Sequence, residues 1–147
     1  MPTKSRSKGF TLIELLIVIA LIGILAGIFI MVMNPNKQLA KSRNARRRVD
    51  LHTISMAVYQ YTLDTGDFPP TLPANPTEIC RENAPDCSGL VDLSILLANQ
   101  KYLIEVPIDP FSATTNSSGY SIYKNPNGRV LVSAPYAENG EVIVVIR

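Results

Sequence analysis

The chain has 147 residues, 46% of them hydrophobic and 18% charged, with a net charge of +2. That suits one small domain with a modest core plus an apolar anchor. Two cysteines and a single distant histidine, His52, argue against a zinc site, which needs about four ligands. The small net charge hides a polarity along the chain. Lys4, Arg6 and Lys8 precede the apolar run, and Lys37, Lys41, Arg43, Arg46, Arg47 and Arg48 follow it, whereas acids dominate from Asp64 onward. The result is a basic neck and an acidic head.

The run Phe10 to Met33 would form a helix of roughly 36 Å, enough to cross a hydrocarbon layer. Its apolar residues favour insertion by roughly 5 to 10 kcal/mol, and the carboxylate of Glu14 opposes it by about 3. Insertion survives, but an ionisable residue inside a span calls for a partner, unless it snorkels to the headgroups. A cleavable secretory signal fits poorly, because the run is longer than such a core and "MVMNPNKQ" has no small-x-small site. Charge does not set the orientation, since both flanks are basic. Gly23 and Gly27 form G-x-x-x-G, a spacing that lets helices approach closely in lipid.

Asn34-Pro35 predicts a kink or break. Helix is expected again from Asn36 to about Thr65, with Leu51, Ile54, Ala57, Val58 and Tyr61 on one apolar face. "DTGDFPPTLP" ends it. The stretch Asp67 to Gly89 reads as a loop holding Cys80 and Cys87, whose closeness favours a local disulfide and an oxidising compartment. "SGLVDLSILLANQKYL" reads as a short helix capped by Ser88, with Leu90, Leu93, Leu96 and Leu97 inward. Three strands follow, Tyr120–Tyr123, Arg129–Ala134 and Glu141–Ile146, with Asn127-Gly128 as a hairpin turn and Asn139-Gly140 before the third.

Catalytic patterns are missing: no H-E-x-x-H, G-x-S-x-G or glycine-rich phosphate loop occurs. His52 reads as an exposed residue on the basic helix. The run "KSRNARRRVD" could meet phosphates or anionic headgroups, although no aromatic residue interleaves it, as single-stranded nucleic-acid binding usually requires.

The junction "SKGFTLIELL" resembles the prepilin signature of type IV pilins and pseudopilins, matching it at Gly9, Phe10, Thr11, Leu12 and Glu14. The resemblance implies an α+β pilin-like fold: a long N-terminal helix whose upper half packs on a small antiparallel sheet. It divides the chain into a cleavable leader (1–9), a transmembrane helix (10–33), a helical neck (34–66) and a globular head (67–147). A prepilin peptidase would cut between Gly9 and Phe10 on the cytoplasmic face, and the new Phe10 amine would be methylated. The head would lie outside the cytoplasm. An ATPase-driven assembly platform would then draw the subunit from the bilayer into a homo-oligomeric filament. There Glu14 would face the Phe10 amine of a neighbour, setting register, while Gly23 and Gly27 let helices pack.

"DFPP", "VPIDP" and "YSIY" occur in the order found in the major pseudopilins of type II secretion. Pilin-like proteins often carry a proline earlier in the helix than Pro35, so the placement of any softened segment departs from that pattern. Some relatives hold calcium in an acidic C-terminal loop. Here only Asp109, Glu138 and Glu141 are candidates, without a clustered loop, so no metal ligand is assigned. The opposite charges of neck and head are expected to help adjacent subunits stack. The alternative function is a DNA-uptake pilin that binds DNA through its basic neck.

Overall fold

A computed structural model describes residues 9–111 and 113–147. The leader cations Lys4, Arg6 and Lys8 lie outside the described residues. The chain forms two compact units, residues 1–38 and 39–147.

In the first unit, helix α1 runs Leu12–Met33. Its 22 residues are apolar around the whole circumference apart from Glu14, and none is buried. Such a helix has no inward face, which fits a segment made for lipid. Asn34 ends it in the left-handed conformation at φ 42°, a position that asparagine tolerates. The Asn34 carbonyl oxygen then accepts the Gln38 N–H at 3.4 Å, and its side chain accepts the Lys37 N–H at 3.4 Å. Helix α2 therefore begins at once and spans Pro35–Thr65. Proline suits its first position, where no N–H partner is needed. Helix resumes one residue earlier than the sequence pattern suggested.

The second unit packs the greater part of α2 on a four-stranded antiparallel sheet ordered β1-β2-β3-β4: β1 Thr77–Cys80, β2 Ser117–Lys124, β3 Val130–Ser133 and β4 Val144–Ile146. Register is set by pairs such as Ile122↔Val132 and Val132↔Val145. Leu51, Ile54 and Val58 of α2 share one core with Tyr120, Ile122, Val132, Ile79, Leu93 and Leu96. The architecture is α+β, a long apolar N-terminal helix with a small antiparallel sheet.

Several head elements differ from the sequence reading. Strand β1 falls inside the expected loop, because "TEIC" acquires a partner only when β2 lies beside it, pairing Thr77 with Ile122. Strand β2 starts earlier than Tyr120, since Ser117 and Ser118 are buried despite their polarity. The other two strands are shorter than expected. The helix expected from Ser88 shrinks to α3, Ser94–Leu97, with a 3-10 turn at Ala98–Gln100. Upstream, the backbone of Val91 is already engaged: its N–H donates to Glu78 O at 2.8 Å and its carbonyl accepts Cys80 N–H at 2.9 Å. Ser88 caps nothing; its N–H and hydroxyl both donate to Asp86 Oδ1. Asp92 Oδ1 instead accepts the Ser94 N–H at 2.8 Å, at the start of α3.

Cys80 and Cys87 form a disulfide across a Cα–Cα distance of 5.5 Å, tying the end of β1 to the following loop. Closing so short a loop removes about 2.5 kcal/mol of unfolded-state entropy. The double substitution Cys80→Ser and Cys87→Ser is therefore expected to lower unfolding free energy by about 2.5 kcal/mol. Denaturant titration of oxidised wild type against the variant checks it, and equal midpoints would show that the loop is held without the bond.

Candidate functional site

The first site is the start of α1. Gly9 and Phe10 are exposed, Phe10 by 85%. Thr11 is the N-cap in an extended conformation, and its hydroxyl accepts the Glu14 N–H at 3.3 Å. The Glu14 carboxylate reaches back and accepts both the Thr11 N–H and the Thr11 hydroxyl at 2.7 Å. This is a reciprocal capping box. It places the carboxylate at the positive end of the helix, where backbone N–H groups lack intrahelical partners. Within one chain, Glu14 is thus satisfied by Thr11. The signal is present in the sequence as Thr-x-x-Glu at positions 11 to 14, a local pattern that the need for a distant partner obscures.

Gly23 and Gly27 lie four residues apart on one face of α1. A Cβ at either position would meet nothing within 4 Å among the described residues. Glycine costs a helix about 1 kcal/mol relative to alanine at each such position, and no contact within the chain offsets that cost.

The second site is a polar seam in the other unit. The buried stripe of α2 runs Ala40, Asn44, Arg47, Leu51, Ile54, Val58, one helical face that turns from apolar to polar toward its N-terminal side. Arg47 is fully buried. Its Nε donates to Asp109 Oδ2 at 2.6 Å and its Nη2 to Asp109 Oδ1 at 3.1 Å, a two-pronged pair. Its Nη1 donates to Asn44 Oδ1 at 2.9 Å and to Glu138 Oε2 at 2.8 Å. Arg43 grips the same Glu138 through Nε at 2.7 Å and Nη2 at 2.6 Å. Asn44 completes the seam by exchanging hydrogen bonds with the Glu138 backbone at 2.8 and 3.0 Å. Arg48 pairs with Glu141, and Arg46 lies 3.9 Å from Asp50.

Hydrogen bonds from Arg43 and then Arg47 pull the Glu138 carboxyl down to about 2. The Arg47 guanidinium is raised, chiefly by its bond to Asp109 and against the cost of burial. Burial raises Asp50, opposed by the hydrogen bond it accepts from the Tyr120 hydroxyl at 2.7 Å. Burial and that same bond push the Tyr120 phenol well above its ordinary range.

These pairs revise the expectation that neck and head charges meet between subunits. Arg43, Arg47 and Arg48 close on Glu138, Asp109 and Glu141 of the same chain. The same pairing occupies Arg43, Arg47 and Arg48 among the cations that could have met phosphates, and it occupies the acids raised as calcium candidates. Among the described residues there is no group of three or more metal-ligating side chains. His52 is exposed on α2.

Arg47→Ala would leave the Asp109 carboxylate buried without its guanidinium, which costs about 3 to 5 kcal/mol. Arg43 is more exposed, and its loss is expected to cost far less. Paired urea titrations of the two variants test this ranking, and equal losses would contradict it. The Glu138 carboxyl lies below its ordinary value of 4.5, at about 2. The stability it contributes is therefore complete above pH 4.5 and is lost as pH falls from there toward 2. Glu138→Gln should flatten that acid limb of a stability-against-pH curve, and an unchanged limb would refute the assignment.

Comparisons with known proteins bear on the first site directly. Residues 4–30 match the model of the prokaryotic N-terminal methylation motif. The chain is 27% identical to the type II secretion system core protein G of Escherichia coli K12 over 111 residues, covering 76% of this chain and 71% of that protein. It is 35% identical over 68 residues to the core protein G of Aeromonas hydrophila, covering 46% of each. The core protein G of Klebsiella pneumoniae gives the same identity over 68 residues, 45% of this chain and 46% of that relative. No solved structure matches.

Proposed function

We propose that this chain is a type IV pilin-like protein and a structural subunit of a type II secretion pseudopilus, a reading supported by its methylation motif and by its likeness to the core protein G relatives. The role is mechanical rather than catalytic. The observation that carries the reading is Gly9-Phe10-Thr11-Leu12 with Glu14, at the head of an apolar helix none of whose residues is buried. Such a helix needs lipid before assembly and copies of itself afterwards.

In this reading a prepilin peptidase cuts between Gly9 and Phe10, and the new amine is methylated. The subunit then waits in the cytoplasmic membrane as a single span with its head outside, where an oxidising compartment suits the disulfide. The assembly platform and its ATPase draw it into the filament. Glu14, held in its capping box within one subunit, turns to the Phe10 amine of the next. In low dielectric an unpaired charge is costly, so this pair fixes register more than it adds stability. Gly23 and Gly27 give the close approach that helix packing in lipid relies on. The relatives favour a secretion pseudopilus over a surface pilus. The DNA-uptake alternative loses support, because Arg43, Arg47 and Arg48 already have carboxylate partners.

The intact mass of the protein extracted from its own membrane tests this. The expected species lacks residues 1–9 and carries one added methyl group on Phe10. An uncut chain would leave an ordinary anchored protein and refute the filament reading.

A further inference from the structure

A cavity of about 180 Å³ opens on one flank of α2, lined by Ser55, Val58, Tyr59, Phe68, Arg129 and Arg147 among others. Its wall is almost wholly apolar, and it is comparable to cavities of about 150 Å³ that accept a benzene-sized group. Ser55 is buried, and its hydroxyl has no hydrogen-bond partner among the described residues. Thr53, Thr62 and Thr65 on the same helix each donate to a carbonyl one turn back, but Ser55 does not. An unspent polar group in an apolar wall is costly unless something meets it.

The rim is cationic. The Arg147 guanidinium sits 4.8 Å over the Tyr59 ring and the Lys124 ammonium 4.3 Å over Phe68, while Arg129 completes the lining. No carboxylate side chain lies among the residues that line it. The site therefore suits an apolar side chain carried beside a carboxylate.

The chain displays such a group on its other side. Ile104 is 73% exposed, and Glu105 beside it is exposed too. Both line a groove shared with Arg46, Asp50 and Thr53 of α2. At about 100° per residue, those α2 positions lie roughly 180° around the helix from Ser55, Tyr59 and Thr62. Knob and socket are thus on opposite flanks of one helix, where a single subunit cannot join them. A contact between two different patches is heterologous, and repeated without closure it builds a helical filament rather than a dimer.

We propose that Ile104 of one subunit inserts into the Ser55 cavity of the next, with Glu105 against Arg129 and Arg147. Ser55 supplies the hydrogen bond for main-chain polar groups carried in with Ile104. The proposal rests on the filament function above and gives that filament a specific side-to-side contact between heads.

The full-length chain, produced in cells with its own secretion machinery, provides the test. The described cysteines are both in the native disulfide, so thiols introduced together as Ile104→Cys and Tyr59→Cys report only on each other. Mild oxidation of sheared filaments should give a ladder of cross-linked subunits that neither single variant gives. Glu105→Arg and Arg129→Glu should each reduce filament yield by about tenfold, the effect of losing one strong contact, and the double variant should recover it. Both changes are at the surface, so folding is expected to survive. Wild-type levels of filament from Ile104→Asp, or filaments whose paired thiols do not cross-link, overturn the contact while leaving the filament function standing. A wild-type chain that never forms filaments overturns both.

Discussion

The head depends on one buried cation. Arg47 sits on the face of α2 that also carries Leu51, Ile54 and Val58 into the core, yet it is as fully buried as they are. It draws together chain segments 62 and 91 residues away, at Asp109 and Glu138. Desolvating a guanidinium and a carboxylate is expensive, and only good geometry and further hydrogen bonds offset it. The two-pronged contact with Asp109, the second carboxylate and the Asn44 amide supply that geometry. What the network chiefly gives is specificity, since it fixes where the loop around Asp109 and the segment around Glu138 meet the helix. The hydrophobic core between α2 and the sheet is far less selective about register.

The other unit obeys the opposite constraint. Helix α1 has no internal partner to choose, because every side chain on it is exposed. Each leucine, isoleucine or phenylalanine left in water forgoes about 1.5 to 3 kcal/mol of burial. Lipid or other copies must cover it. Glu14 would oppose entry into lipid, and the capping box reduces that opposition by giving the carboxylate two short donors at the end of the helix where negative charge is favoured. The same arrangement leaves the carboxylate one turn from Phe10, near any new charge created there.

Local features were legible in the sequence and contingent ones were not. The apolar run, the break at Asn34-Pro35, the cysteine pair and the Asn127-Gly128 turn each declare themselves within a few residues. The seam does not. Asn44 and Arg47 continue the spacing of Leu51 and Ile54, but the apolar periodicity ends where the face turns polar, and the deciding partners are far away in sequence. Strand β1 failed for a related reason: "TEIC" has half-polar chemistry and becomes a strand only against β2. The serines that open β2 are buried by their place in the sheet rather than by their own preference. The Thr11-Glu14 box and the Asp92–Ser94 bond are the exceptions, local in sequence yet absent from the reading of it.

In the proposed filament the closed seam limits how subunits would recognise one another. With Arg43, Arg47 and Arg48 committed to carboxylates of their own chain, the neck charge still exposed to a neighbour is that of Lys37, Lys41 and Arg46. Breaking such pairs to remake them elsewhere would expose a buried carboxylate, which costs more than a surface pair returns. In the proposed filament, contacts between heads can also draw on exposed apolar side chains and on the cationic rim near Arg129 and Arg147. In the proposed filament the labour divides: charge holds each head together, and the Ile104 contact would join one head to the next by apolar shape and a few rim charges.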